Sequence, residues 1–546
     1  MDAGRPVSPA PGYGAAPAPG WLPYDQARGT MVGGPDAAEA QAAPVTEVFG
    51  AAHELVTLVN SRYAAIALET DEEDRAMAIL DDVGWQLRLP VFDWTMTRGL
   101  VRRGGGDEHP MYQTADAAAA LAGIHEMRTE AIYVMRDLRS QLGNTGVVRA
   151  LRDVLDEFQA STRRSTIILL GSEPGLPAAL RERVPTYPLG LPSDEEYRAT
   201  LGVVAQALTL QRSADVALTP LDHLEVVAAL RGLTLAQARQ VLQHVATVDR
   251  RLDLDDLPRI AALKARALSD GGVLEYFPPS DDTAQLGGFE RLRAWLDRAR
   301  VGFSAEAKAM NLPAPKGILL TGVQGCGKSL AAKVIAREWG MPLVKLDAGR
   351  IYDKYVGESE KNLRRALAVA ESLSPAVLWI DEIEKALSQG SADSNDGGVS
   401  QRILGTLLTW MSERTEGVFL VATANDIFGL PPELLRKGRF DELFFVDLPS
   451  PAERDAILRI HLQLRRQDPA ALSLRGIVDA TNGFSGSELE QVVVGTLLGA
   501  LQRRVPADTT AYIAEAQATV PLSRSRAEDI ARLRQLATGR FVPVSA

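Results

Sequence analysis

The chain has 546 residues, and about 150 residues per domain predicts about three to four domains. Its 59 basic and 70 acidic residues give a formal net charge of −11, which argues against nucleic-acid binding through bulk positive charge. The only cysteine, Cys326, excludes an intramolecular disulfide, and the six histidines form no metal-ligand motif. The first twenty residues have neither the basic flank nor the apolar core expected of a secretory leader, and no apolar run approaches the roughly 18 residues that span a bilayer. These features predict a soluble cytoplasmic protein with no membrane partner, and the excess of arginine over lysine suggests a GC-rich bacterial source.

Residues 1–45 are expected to form a disordered tail, because 26 of these 45 residues are Pro, Ala or Gly. An inert extension and a docking arm that uses Trp21 and Tyr24 both fit this composition.

Residues 46–270 alternate short apolar runs with amphipathic segments, which is typical of βα units around a mainly parallel sheet. The pattern predicts strands at 63–68, 131–135 and 166–170, and a helix at 147–159. A helical stretch follows to about residue 267. Gly271 and Gly272 then open an expected linker, 271–285.

The second half of the chain repeats this α/β plan, with predicted strands at 316–320, 376–380 and 418–423. Some residues correspond at a constant spacing. Leu191-Pro192-Ser193 matches Leu448-Pro449-Ser450 at an offset of 257, and Gly232 matches Gly483 at an offset of 251. We infer two tandem modules of similar α/β-plus-helical plan, with chance similarity of two α/β domains as the alternative.

A complete GxxxxGK[ST] motif lies between a predicted strand and a predicted helix. In this context the backbone N–H groups of the loop and the helix N-terminus converge on one point, which favours anionic phosphates. We expect Lys328 to reach the terminal phosphates and Ser329 to bind Mg²⁺. The motif predicts an ATP site formed by Gly322, Val323, Gln324, Gly325, Cys326, Gly327, Lys328, Ser329 and the following Leu330.

Two later strands end in polar residues that suit the same chemistry. Asp381 follows the apolar run 376–380 and would be costly there unless it faces a cation, so it is the predicted second magnesium anchor. Glu382 can polarise the attacking water, and Asn425 can hold that water or the γ-phosphate. An isolated Asp-Glu pair is more often a strand-ending cap, and a lone Asn a turn residue, but their spacing from the phosphate loop favours catalysis.

The chain resembles the AAA family of P-loop ATPases over about residues 286–502. The resemblance rests on the phosphate loop and on the segments LGGFERLRAWL, WIDEIEK, ATAND and LLRKGRFDE. It implies a large ATPase subdomain at 286–450 and a helical lid with a C-terminal tail at 451–546. In that family the two arginines of the RxGRFD motif, here Arg436 and Arg439, act on the nucleotide of the neighbouring subunit. The family therefore implies a homo-oligomeric ring, usually a hexamer.

Further residues are assigned by the resemblance alone. Tyr355-Val356-Gly357 looks like the first pore loop, which grips extended polypeptide in remodelling members, although a local capping loop also fits. The segment 388–400 is either a second pore loop or a connector. Gln285 departs from the family by replacing an Asp. The family pattern also places around the nucleotide Leu286, Gly287, His461, Gly486 and Ser487.

The whole-chain plan resembles one subgroup, the uncharacterised AAA proteins of the hypothetical chloroplast reading frame type and their bacterial relatives. This similarity rests on GVQGCGKSLAAKVIAREW, LWIDEIEKAL and LLRKGRFDELFFVDLP, and it extends weakly into the first module. It implies Mg²⁺-dependent ATP hydrolysis coupled to remodelling or threading of a protein partner. The alternative is a slow ATPase that acts as a nucleotide-controlled binding module.

The first module is expected to be a degenerate, non-catalytic copy. Where its phosphate loop should lie, residues 69–74 read ETDEED, and carboxylates repel phosphates. No lysine precedes Lys264, so a P-loop lysine is absent from this half, and Arg136-Asp137 replaces the Asp-Glu pair. The sequence therefore predicts one ATP site per chain.

Overall fold

The computed structural model describes residues 50–104, 109–172, 175–211, 213–270, 272–279, 285–351, 358–388, 399–414, 417–436 and 438–545. The predicted tail, 1–45, lies outside these residues. Residues 51–546 form one unit, and the rest of this section concerns that unit. Among the described residues, no helix is long and apolar enough to cross a membrane.

The first module is a six-stranded sheet covered by helices on both faces. Its strands run in the order β3-β2-β4-β5-β1-β6, and every neighbouring pair is parallel except β2 with β3. The central strands are buried almost throughout because both faces are covered. The elements are α1 (Ala51–Asn60), β1 (Ala65–Glu69), α2 (Glu73–Leu87), β2 (Val91–Thr95), β3 (Gly99–Arg102), α3 (Ala117–Met127), β4 (Ile132–Arg136), α4 (Thr145–Ala160), β5 (Thr166–Gly171), α5 (Ala178–Arg181) and β6 (Thr186–Pro188).

A small helical subdomain follows, with its own apolar core around Tyr197, Leu230 and Leu242. Its elements are α6 (Asp194–Leu210), β7 (Asp215–Val216), α7 (Asp222–Leu230), α8 (Leu235–Asp249), β8 (Arg251–Leu252) and α9 (Leu257–Asp270).

The second α/β part begins inside the expected linker, which contains strand β9. This part comprises β9 (Leu274–Phe277), α10 (Glu290–Val301), α11 (Ala305–Ala309), β10 (Gly317–Gly322), α12 (Lys328–Trp339), β11 (Leu343–Leu346), α13 (Ala348–Ile351), α14 (Glu358–Ser372), β12 (Ala376–Ile380), α15 (Ile383–Ser388), α16 (Val399–Glu413), β13 (Val418–Ala424) and β14 (Glu442–Val446).

The last part is helical and ends in a short strand: α17 (Pro451–Leu464), α18 (Leu474–Ala480), α19 (Gly486–Arg503), α20 (Thr509–Ala518), α21 (Leu522–Ser525), α22 (Ala527–Ala537) and β15 (Val542–Pro543). This strand joins the second sheet, whose order is β15-β14-β10-β13-β12-β11-β9. Only β9 is antiparallel to its neighbour, β11. The mixed α/β fold with parallel sheets, expected from the sequence, is therefore confirmed.

The two halves repeat one topology. The run β6-β1-β5-β4-β2 in the first sheet has the same connectivity as β14-β10-β13-β12-β11 in the second. Ser193 and Ser450, which correspond at the offset of 257, both form capping boxes at helix N-termini. Asp137 and Glu382, which follow equivalent strands, both have left-handed backbones with φ of 53° and 50°. Shared backbone conformations at matching positions favour duplication over chance similarity.

The first module contacts the second through its acidic loop. The Arg365 guanidinium of α14 lies 2.8 Å from the Asp71 carboxylate, and the Lys361 ammonium donates to the carbonyl of Ser172 at 2.6 Å. Leu191 packs against the core of the second α/β part. The acidic segment that replaces a phosphate loop thus pairs with cations of the other module.

Candidate active site

The phosphate loop is positioned by a fully buried strand. All six residues of β10 are buried, and the five residues 323–327 connect it to α12. A Cβ on Gly322 would lie 2.1 Å from the carbonyl oxygen of Val446, and Gly327 has a φ of 93°. Glycine is required at both positions, because a side chain would clash at the first and be strained at the second.

Lys328 is buried at the start of α12, with 6% of its surface exposed. Its Nζ donates to the carbonyl oxygens of Gly322 at 3.0 Å and Val323 at 2.8 Å. An ammonium group has three protons, so it can donate one more hydrogen bond. Burial lowers the pKa of Lys328 to about 8, because these carbonyls replace water without neutralising the charge. An anion at the loop would satisfy both the third proton and the charge.

The predicted metal anchors lie together. Ser329 Oγ donates to Asp381 Oδ1 at 2.9 Å, and Thr423 Oγ1 donates to the same oxygen at 2.6 Å. The backbone N–H of Glu382 in turn donates to Thr423 Oγ1 at 3.0 Å. A hydroxyl and a carboxylate beside the phosphate loop are ligands that Mg²⁺ prefers, so the residues present fit this ion. The described residues contain no cluster of three or more His, Cys, Asp or Glu that could hold a metal on its own.

Glu382 and Asn425 form a second pair at the same edge of the sheet. Asn425 Nδ2 donates to Glu382 Oε1 at 2.7 Å, and Lys385 forms an ion pair with Glu382. The left-handed backbone of Glu382 is costly for a non-glycine residue, so the hydrogen bond to Thr423 helps to maintain it. The hydrogen bond from the Asn425 amide orients the Glu382 carboxylate, and a group that accepts a proton from water needs such a fixed orientation.

Glu384, which has no role predicted from the sequence, contacts the backbone of this pair. Its carboxylate is buried, with 7% of the residue exposed, and accepts from the backbone N–H of Asn425 at 2.9 Å. Burial raises the pKa of Glu384. Its position two residues after Glu382 in WIDEIEK was the only available signal.

The phosphate loop, Asp381, Glu382, Thr423 and Asn425 line one cavity of about 1220 Å³. Gly322 and Val323 lie behind the wall and present carbonyls to Lys328. The predicted site residues that line the cavity are Gln324, Gly325, Cys326, Gly327, Lys328, Ser329, Leu330, Asp381, Glu382, Asn425, Leu286, Gly287, His461, Gly486 and Ser487.

The helical part closes over the phosphate loop. Ser487 donates to the carbonyl oxygen of Gly325 through its backbone N–H at 3.0 Å and through its Oγ at 3.2 Å. His461 lies on α17, its carbonyl accepts from Arg465 Nη1 at 3.1 Å, and burial lowers its pKa. Burial therefore favours the neutral imidazole of His461.

One wall of the cavity was missed entirely from the sequence. It consists of Asp447, at the end of β14, and residues between Arg534 and Ser545 from α22 and β15. No motif marks residues 534–545, which were expected to belong to the lid and C-terminal tail, and Asp447 lies in the segment LLRKGRFDELFFVDLP without a predicted role.

The predicted arginines lie away from this cavity. Arg436 is exposed, and Arg439 is partly exposed with its Nη1 buried and without a partner among the described residues. Neither lines the cavity of its own chain. Tyr355, Val356 and Gly357, and most of the segment 388–400, lie outside the described residues.

The corresponding place in the first module is occupied by its own side chains. Only three residues, 70–72, connect β1 to α2, against five in the phosphate loop. Arg75 is 8% exposed and donates to Glu196 at 2.7 Å, to Glu72 at 3.2 Å and to the backbone carbonyl of Leu191 at 3.3 Å. Glu72 also accepts from the backbone N–H of Leu235 at the start of α8, 2.7 Å away. The network joins α2 and the loop before it to the helical subdomain.

The metal anchor is replaced in the same way. Arg136 occupies the position that corresponds to Asp381, and it donates to Asp93 at 2.7 Å and 2.8 Å and to Glu73 at 3.1 Å. A guanidinium fixed between carboxylates leaves no place for a cation.

Comparison with known proteins agrees with this geometry. The family model "ATPase family associated with various cellular activities (AAA)" matches residues 318–448. Models for the N-terminal and second domains of SpoVK-like AAA ATPases match residues 51–189 and 195–271.

Two of the relatives described here cover most of the chain, and a third covers less than half of it. The "Uncharacterized AAA domain-containing protein ycf46" of Trieres chinensis is 32% identical over 490 residues, which is 89% of this chain and 96% of the relative. The protein of the same name from Guillardia theta is 33% identical over 485 residues, which is 88% of this chain and 94% of the relative. The "ATP-dependent zinc metalloprotease FtsH 3" of Sphaerobacter thermophilus is 36% identical over 225 residues, 40% of this chain and 46% of that protein. The chain therefore belongs to the AAA family of ATPases.

Proposed function

We propose that the chain hydrolyses Mg²⁺-ATP at one site, between the phosphate loop and the helical part, and that it does so within a ring of identical copies. The observation that carries this proposal is Lys328, a buried ammonium whose two acceptors are uncharged carbonyls. It lies in the same cavity as Asp381 and Glu382. A cation prepared for phosphates, a metal anchor and a proton acceptor are the groups that phosphoryl transfer to water needs.

Each residue has a defined task in this proposal. Lys328 and the N–H groups at the start of α12 hold the phosphates. Glu382 accepts a proton from the attacking water, while Asn425 keeps its carboxylate oriented. Ser329 and Asp381 would hold magnesium, which neutralises charge that develops on the phosphate oxygens.

Arg439 and Arg436 are proposed to complete the site of a neighbouring copy. Both lie outside the cavity of their own chain, and Arg439 keeps a buried N–H group without a partner in the described structure. A guanidinium supplied in trans can stabilise charge on the transferred phosphoryl group. The proposed ring is a hexamer, and remodelling or threading of a protein partner through Tyr355-Val356-Gly357 is its proposed output.

Mixing two inactive variants tests the ring. Glu382→Gln removes the proton acceptor, and Arg439→Ala removes the arginine offered to a neighbour. In a random 1:1 mixture, about one quarter of the interfaces combine an intact Glu382 with an intact neighbouring Arg439. We expect ATP turnover to reappear in the mixture although neither variant is active alone. No recovery, with oligomers present, would show that the arginine does not act in trans.

A client protein then separates the two modes of action. The probe is a folded fluorescent protein that loses its fluorescence when it is unfolded. Tyr355→Ala is expected to stop unfolding of this probe while ATP turnover is retained. Unfolding by this variant would reject threading. ATP-dependent client binding that persists in Glu382→Gln, with no unfolding by the wild type, would instead support the nucleotide-controlled binding module.

A further inference from the structure

Residues 527–545, here called the C-terminal wall, line the nucleotide cavity on a side that none of the matching family models includes, since those models end at residue 448. The wall is formed by the helix α22, the strand β15, the turn between them and the two residues after the strand. Its lining residues are Arg534, Ala537, Thr538, Gly539, Phe541, Pro543, Val544 and Ser545.

The C-terminal wall is built into the fold. Val544 donates its N–H to the carbonyl oxygen of Phe445 at 3.1 Å, and its own carbonyl accepts from the N–H groups of Arg291 and Leu292 at 3.0 Å and 3.2 Å. Ser545 Oγ hydrogen-bonds the Glu453 carboxylate on α17. The wall is therefore tied to the sheet on one side and to the helical part on the other, so it can hold a fixed surface toward a ligand.

The ion pair between Arg534 of this wall and Asp447 faces the cavity. Arg534 Nε lies 2.8 Å from Asp447 Oδ2, and Arg534 Nη2 lies 2.8 Å from Asp447 Oδ1. Both residues line the cavity, and their side chains are 50% and 40% exposed. An ion pair this exposed contributes little to folding stability, so stability alone does not account for its two-point geometry.

Asp447 is placed where a free carboxylate would oppose phosphate binding. It follows Val446, whose carbonyl accepts from the backbone N–H of Val323 at 2.9 Å, at the start of the phosphate loop. A triphosphate bound at that loop carries several negative charges, and an unpaired carboxylate nearby would repel it, less strongly at high salt.

We propose that the C-terminal wall forms part of the ATP-binding surface and that Arg534 sets the affinity by neutralising Asp447. This inference rests on the proposed ATP site. It identifies Arg534 as an affinity-determining residue that acts through its neighbour.

A double-mutant cycle in the full chain tests the inference, with a fluorescent ATP analogue as the probe. Arg534→Ala is expected to weaken binding about five- to tenfold, and the loss should shrink in high salt. Asp447→Asn in the Arg534→Ala background should restore binding to within about twofold of the wild type. The matched control is Arg459→Ala on α17, whose pair with Asp455 has side chains 50% and 34% exposed, and which does not line the cavity.

The outcomes are distinct. Wild-type affinity in Arg534→Ala overturns the inference, and so does a double variant as weak as Arg534→Ala. A drop of the melting temperature in Arg534→Ala that exceeds that of Arg459→Ala would assign the pair a structural role instead. Absence of binding by the wild type itself would reject the proposed ATP site, which Lys328→Ala checks separately.

Discussion

Replacing Arg75 with alanine is expected to loosen the contact between α2 of the first module and the helical subdomain. The side chain of Arg75 is 6% exposed, and its carboxylate partners Glu72 and Glu196 are 12% and 27% exposed. Removing one member of a buried ion pair costs about 3–5 kcal/mol, because the remaining charge is left uncompensated. Since Glu196 keeps some contact with water, we expect a cost at the lower end of this range, about 3 kcal/mol. This loss of local stability corresponds to roughly a 100-fold increase in the equilibrium constant for local opening.

Hydrogen exchange in the full chain measures this loss locally. The N–H of Leu235, which donates to Glu72, and the start of α6 should lose protection in Arg75→Ala. Arg149→Ala on α4 is the matched control, because Arg149 pairs with Asp153 while the two side chains are 65% and 45% exposed. This control should change protection by less than about 1 kcal/mol.

The effect should also depend on pH. Burial raises the pKa of Glu196, but the hydrogen bonds from Arg75 and Ser193 outweigh burial and lower it below the ordinary value. The stabilisation is therefore complete above the ordinary glutamate pKa of about 4.3 and is lost as the pH falls through the folded-state pKa. Unchanged protection in Arg75→Ala at neutral pH, or restored protection on adding ATP, would refute the idea that this network replaces a nucleotide.

Three further predictions concern the second module. Glu382→Gln should lower ATP turnover by about 10²–10⁴-fold while ATP binding is kept, as parallel turnover and binding assays would show. Glu384→Ala should lower kcat about tenfold with little change in KM, because the backbone N–H of Asn425 loses its acceptor. Glu384→Gln keeps an acceptor oxygen, so its kcat should stay near that of the wild type. Equal kcat values in the two variants would contradict this role of Glu384. Burial raises the pKa of Cys326 to about 12, so its thiolate is scarce at pH 8. Thiol reagents should therefore label Cys326 far more slowly than a free cysteine until the chain is unfolded. Rapid labelling of the native protein would contradict the burial of this thiol.

The phosphate loop and its strands could be predicted from the sequence because their signals are local. The predicted runs 376–380 and 418–423 agree with β12 and β13, and the helix predicted after the loop corresponds to α12. In each case an apolar run bounded by glycine or a polar residue is enough to define the element.

Other parts of the site depend on residues far apart in the chain. Arg75 and Glu196 are 121 residues apart, and Arg534 and Asp447 are 87 residues apart, so no local pattern pairs them. The strand β9 was missed because its short run lies in a segment whose glycines suggest a linker, and its pairing with β11 comes only from the folded sheet. Tertiary contacts of this kind have no signature in a single sequence.

The stoichiometry of ATP binding tests the central claim most directly. Equilibrium binding of Mg²⁺-ATP to the Glu382→Gln variant, which cannot turn it over, should give one nucleotide per chain, and the additional change Lys328→Ala should abolish binding. Two nucleotides per chain, or one that remains bound in the Lys328→Ala background, would contradict a single ATP site at the phosphate loop 322–329. Either result would indicate that the first module binds a nucleotide.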